Sequence, residues 1–236
     1  MKLKALIFDV DGTMANTEQY GHLAASNETF ATLGYPIRWS WAEFQRMQHI
    51  PGNALRAGKA LRQMYPEMTD EALATAVSQF TTLKKKLYIE KFVRQLPLRP
   101  GVARLINEAL AAGVRLAIVS TSHEVQIHAL LQTALADVAH HFEPVLGKET
   151  AVKTAPDSPL YKRCLAELGF PPNEVLVIED SKPGFQAAQI AGLPCAVIYN
   201  DYTFGGDFAG AQLVARSLEH FTLEQLAALC LPEFGS

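Results

Sequence analysis

The chain has 236 residues, 49% of them hydrophobic and 19% charged, a balance that suits a globular protein with enough length for one large or two modest domains. A formal net charge of −3 leaves no basic footprint and argues against nucleic acid as a partner; the only basic run, Lys84-Lys85-Lys86, reads as a solvated helix face. No apolar run approaches the ~18 residues of a membrane span. The three cysteines, Cys164, Cys195 and Cys230, have no disulfide or zinc spacing and read as small hydrophobes in a reducing compartment. An N-terminus that enters a strand at once leaves no room for a signal peptide, so the cytoplasm is the expected compartment.

In chain order, the apolar run Leu3–Phe8 predicts a buried strand, and Asp9-Val10-Asp11-Gly12-Thr13 follows it directly. A helix is expected from Thr17 to Leu33, with Gly34 as its stop and Pro36 just beyond. Ser40-Trp41-Ala42-Glu43 is a capping-box pattern opening a short second helix. Gly52 begins a third that ends before Pro66, and Thr69-Asp70 opens a long fourth toward Phe92. After Pro97 the pattern changes. Pro100 and Gly113 bracket a helix, strands follow near 114–121, 142–147, 175–180 and 194–199, and an edge strand near 213–216. Helices near 123–136, 157–168 and 182–191 separate them.

Strands alternating with helices predict an α/β fold with a doubly wound parallel sheet, interrupted after its first strand by an inserted helical cap. The expected division is residues 1–15 and 97–236 for the α/β core and 16–96 for the cap, which would sit over the sheet's carboxyl edge as a lid. No Gly-x-Gly-x-x-Gly follows the first strand and no Walker-type loop is present, which removes the main reasons to propose a dinucleotide or a P-loop nucleotide.

The chemistry-bearing residues fall at strand exits, where ligands bind in open α/β sheets. On a period-two strand Asp9 and Asp11 would point to the same side. Like charges that close cost on the order of 4 kcal/mol at an effective dielectric of 20, so a cation, a shared proton or a lysine must offset them. Ser120, Thr121 and Ser122 end the second strand, Glu179-Asp180 ends the fourth, and Lys153 precedes a helix. Taken singly, Asp11-Gly12 is turn punctuation, Ser120 a cap, Lys153 a solvated charge and Glu179-Asp180 complement to a helix dipole. One hydroxyl, one ammonium and four carboxylates in this order are hard to explain that way together.

In that order and spacing the four elements resemble the haloacid-dehalogenase superfamily of phosphotransferases. Asp9-Val10-Asp11-Gly12-Thr13, Ser120, Lys153 and Glu179-Asp180 match its four signatures, and the resemblance covers essentially the whole chain. Thr17-Glu18-Gln19-Tyr20-Gly21-His22, Asn27-Glu28-Thr29-Phe30, Leu98-Arg99-Pro100-Gly101-Val102, Ser120-Thr121-Ser122 and Tyr202-Thr203 with Asp207-Phe208 are similar to the CbbY-like group within it. That resemblance implies a Rossmann-like core and a phosphorylated-sugar substrate, with removal of the 1-phosphate of xylulose 1,5-bisphosphate as the model activity.

Phosphate-ester cleavage needs a nucleophile, charge neutralisation and a proton for the leaving oxygen. The expected roles are Asp9 as nucleophile through an aspartyl phosphate and Asp11 as general acid, then base. Ser120 and Lys153 are expected to hold the phosphoryl group. Magnesium would take Asp9, the Asp11 backbone carbonyl and Asp180 as ligands, with Glu179 acting through water or behind them. Thr13 is expected, by the resemblance, to support the turn. Substrate contacts are expected from Ser120, Thr121, Ser122 and Lys153, and from the cap residues Glu18, His22, Gly52, Asn53, Arg56 and Lys84. Glu18 and His22, four apart, would share a helix face.

Two departures from the group's pattern matter: Ala54 stands where bisphosphatase-like members carry a lysine, and Asp157-Ser158-Pro159 shifts the usual Pro-Asp-Pro. Gly21 stands where β-phosphoglucomutases carry a histidine, which favours hydrolysis over isomerisation. The expected function is a magnesium-dependent sugar-phosphate phosphatase acting as a monomer on a small molecule. A mutase of the β-phosphoglucomutase kind and a non-catalytic phosphosugar-binding protein are the alternatives.

Overall fold

A computed structural model of the chain describes residues 2–50 and 52–230. Thr17–Leu96 forms one compact unit, and the chain on either side of it forms another.

The Thr17–Leu96 unit is all-helical. A π-helical stretch Glu18–Leu23 runs into α1 (Ala24–Thr32), followed by α2 (Trp41–Arg46), α3 (Asn53–Met64) and α4 (Asp70–Leu87). A second π-helical stretch, Tyr88–Phe92, and a 3-10 turn, Val93–Gln95, complete it. The Ser40 capping box forms: Ser40 Oγ accepts from the Glu43 amide at 3.3 Å, and the Glu43 carboxylate accepts from the Ser40 amide at 2.8 Å. Thr69 caps α4 by accepting from the Ala72 amide at 3.2 Å. Phe30, Trp39, Phe44, Leu61 and Phe80 fill the interior.

Two sequence expectations change here. The continuous helices predicted from Thr17 to Leu33 and from Asp70 to Phe92 are each widened into a π-helical stretch, and those stretches pack on one another with the His22 ring stacked on Tyr88 at 4.2 Å. Gly21 permits that approach, since a Cβ there would lie 2.8 Å from Tyr88 Cε2. The basic run is not wholly solvated either. Lys85 and Lys86 are exposed, but Lys84 is 2% exposed, its Nζ 2.7 Å from His22 Nδ1 and 5.0 Å from the Tyr88 ring centroid.

The other unit is a six-stranded sheet of β1 (Ala5–Phe8), β2 (Arg115–Val119), β3 (Phe142–Leu146), β4 (Val175–Glu179), β5 (Cys195–Ile198) and β6 (Leu213–Ala215). Its order is β3-β2-β1-β4-β5-β6, and every pairing is parallel. A parallel sheet is covered on both faces, which is why its central strands read as unbroken apolar runs rather than alternating ones. Helices α5 (Val102–Ala111), α6 (Glu124–Ala134), α7 (Pro159–Leu168) and α8 (Lys182–Ile190) supply that cover. Ile7, Val119, Val177 and Val197 meet Leu160, Tyr161 and Phe185 in the core. A further helix, α9 (Leu223–Ala228), was not anticipated; its signal was present as a capping box between Thr222 and Gln225.

Register places the site. Phe8 is aligned with Ile118 on one side and Ile178 on the other, so the exits of β1, β2 and β4 are level. Strand order reverses direction at β1 and β4, the switch point where such sheets open a crevice. All three cysteines are buried without disulfides. Burial pushes the Cys164 thiol up to about 12 and that of Cys230 to about 11, which disfavours the thiolate. Among the described residues no helix is long and apolar enough to cross a membrane.

Ser158, before α7, has φ 51, and its buried hydroxyl makes no hydrogen bond among the described residues. Both features cost stability: the left-handed region costs a non-glycine residue roughly 1–2 kcal/mol, and an unpaired buried hydroxyl adds to it. Ser158→Gly is therefore expected to raise stability by about 1 kcal/mol after the extra chain entropy of glycine. A urea titration checks this; a lowered midpoint would refute it.

Candidate active site

Asp9 leaves β1 one residue past its end, its amide donating 3.0 Å to the Ile178 carbonyl of β4. The chain then turns tightly, with the Gly12 amide donating to the Ala15 carbonyl at 2.8 Å. The strand stops at Phe8, so Asp9 and Asp11 both lie beyond it, where the Asp11 charge still helps to raise Asp9. Asp9 faces Lys153, whose Nζ is 2.6 Å from Asp9 Oδ1, while Asp11 accepts a hydrogen bond from the Ser122 hydroxyl. The Ser122 amide in turn donates 3.1 Å to the fully buried Ser120 Oγ. Thr121, between them, is exposed.

Lys153 enters from the loop between β3 and α7 and is also in contact with Glu179 Oε1. Tyr161 donates to that oxygen at 3.2 Å. Glu179 Oε2 accepts from the amides of Asp180 (3.0 Å) and Ser181 (3.2 Å) and from the Ser181 hydroxyl (3.2 Å). Both Glu179 oxygens are thus engaged in holding Lys153 and the loop after β4. Thr13 Oγ1 lies 3.0 Å from Asp9 Oδ2 and 3.3 Å from Asp180 Oδ1, so its single proton lies between two carboxylates that would otherwise repel.

The electrostatics follow from burial. Asp9 is pushed up from 3.8 to about 7, first by burial, with Glu179 and Asp11 adding and Lys153 opposing. Burial, with Glu179 and Asp9, also carries Asp180 well above the usual carboxylate range. For Lys153 burial works downward, but Asp9 and Glu179 outweigh it and hold the ammonium more firmly protonated than an ordinary lysine. Oxygens of Asp9, Glu179 and Asp180 lie within 4.8 Å of one another. Three buried carboxylates against one buried ammonium leave excess negative charge among oxygen donors, which fits a hard divalent cation such as magnesium.

Gly12 sits at the centre of this arrangement with φ 84. A Cβ there would collide with Tyr202 Oη and Asp180 Oδ2 and lie 2.8 Å from Asn200 Nδ2. Its carbonyl accepts from the Arg99 guanidinium and, at 3.3 Å, from Asn200. Arg99 also donates to the carbonyls of Ile198 (2.7 Å), Tyr199 (2.7 Å) and Arg216 (2.6 Å). Sequence reasoning did not single out Asn200. Its position just past the end of β5, another strand exit on the same edge, was the available signal.

The remaining expected residues, Glu18, His22, Gly52, Asn53, Arg56 and Lys84, all belong to the helical unit. Glu18 and His22 lie in a π-helical stretch. His22 and Lys84 form the buried cluster with Tyr88 described above. Arg56 donates to the carbonyls of Ile50 (3.0 Å) and Gln48 (3.4 Å) and lies over the Phe44 ring at 5.3 Å.

A parallel sheet of this order, with carboxylates and a lysine gathered at its switch point, has its site where open α/β enzymes bind their ligands. The chain belongs to the haloacid dehalogenase-like hydrolase family, which matches residues 6–198. It is an enzyme, of the phosphatase kind. It is similar to the CbbY protein of Rhodobacter capsulatus, 36% identical over 213 residues that span 89% of this chain and 92% of that one. A crystal structure of CbbY from Rhodobacter sphaeroides in complex with phosphate superposes with a TM-score of 0.78 at 33% identity, covering 95% of this chain and 99% of the other. A mutant of that protein, in complex with xylulose-(1,5)bisphosphate, superposes with a TM-score of 0.77 over the same shares and at the same identity.

Proposed function

We propose that this phosphatase is magnesium-dependent and hydrolyses a phosphorylated sugar, xylulose 1,5-bisphosphate or a close relative, through an aspartyl phosphate on Asp9. The observation that carries the reading is the buried Asp9–Lys153–Glu179 chain of contacts beside Asp180 and Thr13. It supplies a nucleophile held by a fixed cation and a second carboxylate a short distance away. The CbbY complexes with phosphate and with the bisphosphate support the choice of substrate.

In the first step an Asp9 oxygen attacks phosphorus, the bond to the sugar oxygen breaks, and Asp11 gives that oxygen its proton. In the second, water attacks the aspartyl phosphate, Asp11 takes the water's proton, and Asp9 leaves as carboxylate with release of phosphate. The Ser122 hydroxyl orients Asp11 for both transfers. Lys153 offsets charge on the phosphoryl oxygens, and Ser120 is assigned a donor role toward them. Magnesium, held by Asp9, Asp180 and the Asp11 carbonyl with Glu179 behind them, would lower the repulsion between the nucleophile and the anionic phosphoryl group.

Glu18, His22, Gly52, Asn53, Arg56 and Lys84 are the candidates for recognising the sugar and a second phosphate, and Ala54 removes one cation from that set. Gly21 favours hydrolysis over a mutase outcome, because the histidine of mutases has no space beside Tyr88 without displacing it. The test is phosphate release across sugar mono- and bisphosphates of five to seven carbons. Release is expected to stop in EDTA, to return with magnesium, and to be fastest with xylulose 1,5-bisphosphate. Full activity in the chelator would remove the metal, and formation of a sugar 6-phosphate without free phosphate would replace hydrolysis by isomerisation.

A further inference from the structure

We infer that Asn200 is a positioning residue that fixes the Asp180 carboxylate for the cation and ties it to the loop carrying Asp9 and Asp11; this rests on the magnesium reading above. Asn200 lies two residues past β5 and is 7% exposed. Its side-chain amide makes four hydrogen bonds. Oδ1 accepts from the amides of Tyr202 and Thr203, both at 3.1 Å, while Nδ2 donates to Asp180 Oδ2 at 2.6 Å and to the Gly12 carbonyl at 3.3 Å. Only one orientation of the amide satisfies all four, because one end faces two donors and the other two acceptors. Tyr202-Thr203, a pair to which the proposed chemistry assigns no task, therefore sets which end of Asn200 meets the carboxylate.

The consequence for Asp180 is geometric and electrostatic. Oδ2 is held by Asn200, and Oδ1 stays on the side of Thr13 and Asp9, so the carboxylate cannot rotate freely. A neutral amide does this without cancelling the charge, whereas a lysine or arginine in the same place would compete with a cation for it. The Gly12 carbonyl, shared by Asn200 and Arg99, locks the turn after Asp11 into the same network. Partners that orient a metal-binding carboxylate typically contribute 10–100-fold to metal affinity or activity.

The experiment is magnesium titration of the full chain by calorimetry, comparing wild type with Asn200→Ser and Thr203→Val, with melting temperatures recorded in EDTA. Serine keeps an oxygen that can accept from the turn amides but loses the donor to Asp180. Valine removes the hydroxyl that accepts from the Asn200 backbone N–H at 2.9 Å and leaves Nδ2 in place. The expected result is a Kd for magnesium weaker by about tenfold or more in Asn200→Ser, with a protein that still melts cooperatively in EDTA, and a near wild-type Kd in Thr203→Val. An unchanged Kd in Asn200→Ser overturns the inference. So does equal weakening in both variants, or an Asn200→Ser protein that is unfolded in EDTA, since either assigns Asn200 to loop structure alone. A wild-type chain that binds no magnesium is a separate outcome: it refutes the magnesium reading, and this inference with it.

Discussion

Asn in place of Asp9 is expected to lower phosphate release by roughly 10⁴-fold or more, the scale on which loss of a nucleophile is felt, while leaving the melting temperature within a few degrees of wild type. The two halves of this result come from different atoms. An amide oxygen cannot form the acyl phosphate, so the reaction loses its first step. The fold keeps its packing because Asn has the same shape, and Lys153 keeps a carboxylate partner in Glu179. The substitution also removes a carboxylate that burial, with Glu179 and Asp11 adding to it, already pushes up to about 7. Phosphate release and thermal melting on the same preparation check it. Turnover with phosphate release near the wild-type rate would reject Asp9 as nucleophile.

Lys153→Met is expected to affect both activity and stability. Breaking a buried pair by removing one member typically costs about 3–5 kcal/mol, because the other charge is left uncompensated. Here two carboxylates, Asp9 and Glu179, lose the same cation, and Asp180 stands beside them. The pH dependence has a definite sign. In the wild type Lys153 titrates above its ordinary value of 10.5, so its contribution is complete at and below neutral pH and fades only in strong alkali. In the variant the abandoned carboxylates are costly when ionised and inexpensive when protonated. The stability deficit is therefore expected to shrink from pH 8 toward pH 5, read from urea midpoints at the two pH values. A deficit that is small at pH 8, or that grows on acidification, would show that the buried lysine is not what balances these acids.

Much of the architecture was legible because its signals are local. The runs Ala5–Phe8 and Val175–Ile178 carry no polar residue to mark a solvent face, and buried parallel strands are the structures that tolerate this. Helices were bounded by caps whose chemistry is contained within four residues, as at Ser40 and Thr69. The π-helical stretches at Glu18–Leu23 and Tyr88–Phe92 were not legible, because each depends on the other. Gly21 makes room for Tyr88, and the His22 ring stacks on it, across more than sixty intervening residues. Lys84 was misjudged for the same reason. Next to two exposed lysines its sequence looks solvated, and only the position of His22 explains its burial.

The candidate site divides along the same line. Sequence by itself placed Asp9, Asp11, Ser120, Glu179 and Asp180 at strand exits and Lys153 in the loop after a strand, and hence all of them toward one edge of one sheet. That conclusion needs the strand pattern, the order of the groups along the chain and the rule for where parallel sheets bind. The tertiary structure alone decided the partners: Glu179 spent on holding Lys153, Asp11 paired with Ser122, Thr13 between two acids, and Asn200 closing on Asp180. Hydrogen bonds are short and directional, so assigning them requires atoms from segments far apart in the chain to be placed to within a fraction of an ångström, and no local pattern carries that information.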